Sequence, residues 1–347
     1  MIPFTKIPTP SEVVEAISEV YYSGQYVAGE KVHAFEEKWA SVCGARYAVG
    51  VSSGSAALTL ALRAVFTPGS RVLVPLLSFV ATLYAVQAAY LEAVWIDVDD
   101  RGLMDLDAVR KALRFEQGIA GAVPVHLYGQ LVDVDALRGI LPDGARIVED
   151  AAQAHGVFEK LSGEAAIFSF YPSKNLGACG EAGAVVTNSE EVARYVRTYS
   201  DYGRISGQKH VHSPVAGDNL RMDEIQAAVL LAKLPYLGGW NSSRREMAAE
   251  YARSGIGSLA HPPTNWHLYP VATPNPSKVM EGFKSRGIQI GTHYPYTLAE
   301  VAHAILTVDE EHTNAYRISR GHVTLPMGPG YSQAEVQEIV GAWYDSQ

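Results

Sequence analysis

Only two cysteines, Cys43 and Cys179, occur in 347 residues, too few for a disulfide framework or a structural zinc site. Their scarcity suggests a reducing, cytoplasmic setting. No uninterrupted apolar run approaches the roughly 20 residues that cross a bilayer. The opening stretch Met1-Ile2-Pro3-Phe4-Thr5-Lys6-Ile7-Pro8 has no apolar signal core. Positive charge is also short: 28 Lys and Arg against 37 Asp and Glu leave a net charge of −9. That argues against nucleic acid and anionic membrane as partners, although a local cluster can still hold one anionic ligand. Common cofactor signatures are missing. Gly177, Gly180 and Gly183 are spaced G-x-x-G-x-x-G, not in the dinucleotide pattern G-x-G-x-x-G. There is no Walker A loop, no H-E-x-x-H, no internal repeat and no low-complexity segment.

What is present fits a globular enzyme. Hydrophobic residues make up 48% and charged residues 19%, and the length allows two domains and a large core. Residues 11–22 and 31–42 have helical spacing, separated by the turn Ser23-Gly24-Gln25-Tyr26-Val27-Ala28-Gly29. Strands and helices then alternate: helix 55–65, strand 71–75, helix 79–90, strand 93–97, helix 105–114, strand 119–125, helix 133–140, strand 146–149. Such alternation predicts an α/β fold with a mostly parallel sheet covered on both faces. Apolar runs follow at 165–170 and 183–187, a strong helix pattern at 221–235, and a polar helix at 240–253 that reads as a bridge. The remainder is smaller and α+β in pattern. It has a strand near 267–272, a helix at 276–286, a short strand near 288–290 and a last helix at 332–344. We expect a large domain over residues 1–238 and a small C-terminal domain with its linking helix over 239–347.

The chemistry concentrates in two tracts. One reads Val148-Glu149-Asp150-Ala151-Ala152-Gln153-Ala154-His155-Gly156, and the other Phe168-Ser169-Phe170-Tyr171-Pro172-Ser173-Lys174-Asn175-Leu176-Gly177. An acid ends one apolar run and an amine follows the next. A pyridoxal phosphate enzyme needs that pair: a lysine to form a Schiff base with the cofactor aldehyde, and a carboxylate to keep the pyridine nitrogen protonated. Each residue also has a plainer reading. Lys174 could be a surface loop lysine, and Asp150 a helix N-cap. His155 could be packed without a role. Ser53-Gly54-Ser55 precedes a clean helix; it could bind phosphate at the helix N-terminus or simply cap it.

Five stretches in order carry a resemblance: Ser53 to Leu58, Pro124-Val125-His126-Leu127-Tyr128-Gly129, Glu149 to Gly156, Phe168 to Leu176, and Asn219-Leu220-Arg221-Met222-Asp223-Glu224. From about Gly24 to Pro326 the chain resembles the sugar aminotransferases of the DegT/DnrJ/EryC1/StrS family. The resemblance implies a fold-type-I pyridoxal phosphate enzyme, with a mostly parallel mixed sheet flanked by helices and a smaller α+β C-terminal domain. It further implies that Lys174 is the Schiff-base lysine and Asp150 the partner of the pyridine nitrogen. Gln153 would contact the phenolic oxygen, Phe79 would stack on the ring, and Ser53, Gly54, Ser55 and Ser169 would hold the phosphate. Asn219 would reach the cofactor phosphate of the other subunit, making a homodimer with shared active sites. Arg221 would be structural, near the subunit boundary. His293 and Tyr294 would line the sugar pocket.

The implied reaction moves an amino group from an amino acid, L-glutamate by expectation, to a nucleotide-diphosphate-linked keto-sugar, with pyridoxal phosphate cycling through pyridoxamine phosphate. The tract Tyr171 to Ala178 looks more like members acting at C3 than at C4. The product would serve an antibiotic glycoside or a surface polysaccharide. Three departures from the family pattern stand out: a short Phe158 to Glu164 connection, Tyr296-Thr297-Leu298-Ala299-Glu300 after His293-Tyr294-Pro295, and a compact second domain after Tyr251. Alternatives are a keto-inositol aminotransferase and a cofactor-binding regulatory protein without turnover. A sugar dehydratase of the same family would carry histidine where Lys174 stands, and a nicotinamide dehydrogenase would rest on the α/β pattern alone.

Overall fold

The computed structural model describes residues 1–205, 210–214, 216–303 and 313–347. Its main sheet has seven strands: β1 Tyr47–Val51, β2 Arg71–Pro75, β3 Glu92–Ile96, β4 Ile119–Ala122, β5 Arg146–Asp150, β6 Ala165–Ser169 and β7 Gly183–Thr187. Their order is β1-β7-β6-β5-β4-β2-β3. β7 pairs antiparallel with both β1 and β6, and the other pairs are parallel. The sheet is thus the mostly parallel mixed one expected.

Alternation along the strands explains the layering. Val72 and Val74 point into one apolar cluster and Leu73 into another. Val185 faces one layer, while Ala184 and Val186 face the opposite one. Side chains therefore leave the sheet on both faces, and helices cover each. Gly54–Val65, Val80–Ala88 and Glu190–Ser200 pack on one side. On the other, Phe35 and Trp39 of helix Glu30–Val42 meet Phe168 and Phe170, with the two tryptophan–phenylalanine contacts edge-on at 4.9 and 5.1 Å. Helix Glu30–Val42 has no capping side chain of its own. The buried Glu224 carboxylate accepts from the Gly29, Lys31 and Val32 N–H groups instead, at 2.9, 2.9 and 3.1 Å. It supplies from a distance what an N-cap residue supplies locally.

A separate apolar cluster surrounds the antiparallel pair β8 Tyr269–Ala272 and β9 His322–Leu325. Helices Leu237–Arg253, Pro276–Ser285 and Gln333–Asp345 contribute to it. Ile2 belongs to this cluster as well, with backbone hydrogen bonds to Gly287 and Gln289.

Several sequence expectations shift. No strand forms at 288–290; Ile288 makes only an isolated parallel bridge to Ile2. The helix read from 221 begins at Glu224, because Arg221 and Asp223 form bridges to Val51 and Val27. Strand 119–125 stops at Ala122. The bridging helix starts at Leu237, earlier than read, despite Gly238 and Gly239. Helix Glu190–Ser200, helices Leu298–Ala302 and Asn314–Arg320, and strand β9 were not anticipated.

Candidate active site

The carboxyl ends of β5 and β6 deliver Asp150 and Ser169 to the wall of a cavity of about 520 Å³. Ligands of open α/β sheets sit at such strand ends. Every sequence-predicted site residue except Asn219 lines it. Asn219 is exposed elsewhere, its N–H donating to the Asp218 carboxylate at 2.7 Å. Arg221, expected to be structural, pairs with Asp201.

Lys174 lies in the turn after β6, held by its N–H donating to the Tyr171 carbonyl at 2.8 Å. Its ammonium is disfavoured by burial, which brings the pKa down to about 8, against the opposing pull of the Asp150 charge. Asp150 is 7% exposed. One carboxylate oxygen accepts from the Thr82 hydroxyl and the other from the Ala152 N–H, both at 3.1 Å. Ser78 stands 2.8 Å from Thr82. Thr82 spends its single hydroxyl hydrogen on Asp150, so Ser78 donates to Thr82. Burial raises the Asp150 pKa; the donors from Ala152 and Thr82, then the charges of Lys174 and His126, work the other way. A cation placed against this carboxylate would be strongly favoured.

Only the neutral amine attacks an aldehyde, so the Lys174 pKa sets a pH dependence. Below about 8 the rate of reconstitution of apoprotein with pyridoxal phosphate should rise about tenfold per pH unit, then level off above that value. Stopped-flow absorbance across pH 6 to 9 would check it; a flat profile would contradict the assignment.

Beside this pair, the N-terminus of helix Gly54–Val65 opens onto the cavity. Ser53 caps the helix, accepting from the Ala56 N–H at 3.1 Å, so the capping reading and the cavity location both hold. The approach is very close. A Cβ on Gly54 would sit 2.5 Å from the Ser169 Cβ, and one on Gly183 would sit 2.3 Å from the Ser53 carbonyl carbon. Glycine at both positions lets the helix end seat directly against β6 and β7. Unpaired N–H groups, the helix dipole and the Ser53, Ser55 and Ser169 side chains gather in one corner, which suits a phosphate.

Phe79 is 52% exposed although it lines the cavity, and lies 5.5 Å from the Tyr294 ring. An aromatic face left open this way can stack on a flat ligand. Gln153 is tied at both ends. Its carbonyl oxygen accepts from the Tyr128 N–H at 2.6 Å, and its amide donates to the Tyr294 hydroxyl at 3.0 Å. The Tyr128 hydroxyl in turn donates to the His293 carbonyl at 2.6 Å. Residues 293 and 294, far along the chain, are thereby fixed to the sheet. Burial brings the His293 pKa down to about 4, so its ring is neutral.

Sequence reasoning missed part of the wall and its support. Phe4 and Thr5 line the cavity, and Phe4 stacks on His293 at 5.3 Å with 15° between the planes. Behind the cavity, three asparagines interlock. Asn175 donates to Asn241 at 2.8 Å and to the Asn265 carbonyl at 3.2 Å. Asn241 donates to the His155 carbonyl at 2.9 Å, and Asn265 donates to the Gln153 and His155 carbonyls at 2.8 and 3.0 Å. His155 itself is fully buried behind β6, with Nε2 donating to the Ser169 carbonyl at 2.9 Å. Burial lowers its pKa to about 3. It supports the site and does not line it.

A family model described as the DegT/DnrJ/EryC1/StrS aminotransferase family matches residues 9–343. The chain belongs to this family. A dTDP-3-amino-3,4,6-trideoxy-alpha-D-glucose transaminase of Streptomyces venezuelae is 37% identical over 96% of this chain and 91% of that protein. A dTDP-3-amino-3,6-dideoxy-alpha-D-galactopyranose transaminase of Aneurinibacillus thermoaerophilus is 34% identical over 99% and 98%. The crystal structure of S. venezuelae DesV aligns with a TM-score of 0.89 and 36% identity, covering 97% of this chain and 95% of that one. Members of this aminotransferase family work with pyridoxal 5′-phosphate, and so does this enzyme. The cavity fits that cofactor: a serine-lined helix N-terminus for the phosphate, an open aromatic face for the ring, a buried carboxylate short of a cation, and an amine of lowered pKa.

Proposed function

We propose that this aminotransferase moves an amino group from L-glutamate to a keto-sugar carried on a nucleotide diphosphate, with a ketone at C3 favoured over C4. The observation that carries this reading is the pair of near full-length relatives whose names both specify a 3-amino sugar on dTDP. The product is an aminosugar for an antibiotic glycoside or a surface polysaccharide.

The residue roles follow from chemistry and placement. Ser53, Gly54, Ser55 and Ser169 hold the cofactor phosphate. Phe79 would stack on the pyridine ring, and Gln153 would contact its phenolic oxygen. Bound there, pyridoxal phosphate supplies a conjugated cationic ring that delocalises the electron pair left when a C–H bond breaks. Asp150 keeps the proton on the ring nitrogen; its buried carboxylate gains most when that neighbour is cationic. The Lys174 amine would be the base that takes up and returns the proton at the reacting carbon. Phe4, His293 and Tyr294 form the sugar side.

The reading includes a homodimer. Asn219 lies outside its own chain's cavity, consistent with service to the partner's cofactor phosphate. It also includes a division into residues 1–238 and 239–347, and a cytoplasmic location, in keeping with two unpaired thiols. Among the described residues, no helix is long and apolar enough to cross a membrane.

The test is spectroscopic. Adding L-glutamate to the enzyme loaded with pyridoxal phosphate should replace the visible band of the lysine-bound cofactor with the near-ultraviolet band of the pyridoxamine form. A dTDP-linked 3-keto-6-deoxyhexose should restore the visible band, and its 4-keto isomer should not. Restoration by the 4-keto sugar alone, or by a keto-inositol alone, would overturn the proposed substrate.

A further inference from the structure

His267, just before β8, lines the same cavity and is 7% exposed. Its hydrogen bonding fixes which nitrogen carries the proton. Asn175 donates to a backbone carbonyl, that of Asn265, at 3.2 Å, so the amide end facing it is the nitrogen. The same nitrogen donates to Asn241, whose own amide nitrogen is committed to the His155 carbonyl. The Asn175 oxygen therefore faces His267 Nδ1, 3.0 Å away. An oxygen can only accept, so Nδ1 bears the hydrogen. The other ring nitrogen, Nε2, makes no hydrogen bond with the described residues and is not among their enclosed, unpartnered atoms. Burial first, and then the positive charges of Lys174 and Arg244, hold the His267 pKa well below that of an ordinary histidine. The ring stays neutral.

The geometry points to His267 Nε2 as a specificity-determining acceptor that takes a hydrogen bond from a sugar hydroxyl flanking the reacting ketone. This rests on the keto-sugar reading above. A neutral nitrogen with a lone pair cannot bind the carboxylates of the amino donor or the diphosphate of the nucleotide. It can pair with an O–H. Its neighbours on the wall, Leu268 and Met327, have no donor to offer instead. The ring lines the same cavity as Lys174 and His293, so one ligand can reach all three.

Two variants separate the roles of the ring nitrogens. His267→Asn keeps a donor where Nδ1 stands, and with it the bond to Asn175, but removes the cavity acceptor. His267→Gln places an amide oxygen near the position of Nε2 and gives up the bond to Asn175. With dTDP-linked 3-keto-6-deoxyhexose, His267→Asn should raise KM roughly 10- to 100-fold, the usual consequence of one lost buried hydrogen bond. The half-reaction with L-glutamate should keep its rate, and His267→Gln should recover part of the loss. The penalty in His267→Asn should vanish with either the 2-deoxy or the 4-deoxy keto-sugar, whichever lacks the bound hydroxyl. An unchanged KM in His267→Asn, an equal loss in both half-reactions, or a penalty that persists with both deoxy sugars would overturn the proposal. A wild-type enzyme that ignores the keto-sugar would instead sink the functional reading. One readout needs no substrate: nitrogen-15 NMR of labelled histidine, assigned by difference against His267→Asn. It should show a neutral ring with Nδ1 protonated; a doubly protonated ring or the opposite tautomer would also overturn the proposal.

Discussion

Lys174→Ala is expected to lower kcat by roughly 10⁴-fold or more, because in the proposed mechanism it removes both the covalent anchor of the cofactor and the base that moves the proton. Folding should survive, since the Lys174 amine makes no hydrogen bond with the described residues; only its backbone N–H is engaged, with Tyr171. The variant should still bind pyridoxal phosphate through the serines and Phe79, but with the spectrum of the free aldehyde. Adding methylamine should restore a small part of the half-reaction rate, because a soluble amine can take over the proton transfer. A variant with wild-type rates would remove Lys174 from the mechanism.

Asp150→Asn should cost roughly 10²- to 10⁴-fold in kcat, the range expected when one charge aimed at the reacting system is lost. Asparagine fits the same space and can still accept from Thr82. It cannot, however, hold a proton on the ring nitrogen. Cofactor affinity should change less than rate, and the half-reactions with amino acid and with sugar should fall together. The wild-type contrast has a specific origin. The carboxylate sits in a place where burial penalises its charge, with two hydrogen-bond donors on it among the described residues and Lys174 close enough to act by charge. A loss below threefold would mean the ring nitrogen is served by another group.

Much of the legible part of the site consists of residues close in sequence to strand ends, while His293 and Tyr294, which adjoin no strand, were legible through the family resemblance. Asp150 closes β5, Ser169 closes β6, and Lys174 follows within one turn. A strand signal with a reactive residue beside it marks such groups as candidates, and the family resemblance implies their roles. His267, Asn241, Asn265 and Phe4 carry no comparable local mark. They reach the site through packing between segments up to 289 residues apart, as in the Phe4 ring over His293. The fold shows the same divide. Helix Glu190–Ser200 carries local signs in the sequence, with Ser189 as N-cap and Glu190 and Glu191 in its first turn. Strand β9 is four residues long and gains its identity from β8, a partner distant in sequence. Glu224 looks like an ordinary helix-starting acid, and nothing local reveals that it caps a different helix.

The contact of Gly54 with Ser169, and of Gly183 with Ser53, has a consequence for anyone redirecting this enzyme to a new sugar. Those four positions are interdependent: a side chain on either glycine demands retreat by its neighbour, so single-site libraries there would yield mostly inactive clones. Other lining residues, Phe4, Thr5, His267 and Leu268, come from segments outside that corner, and diversity is best spent on them. Selection can then explore those positions while the proposed cofactor corner is inherited unchanged.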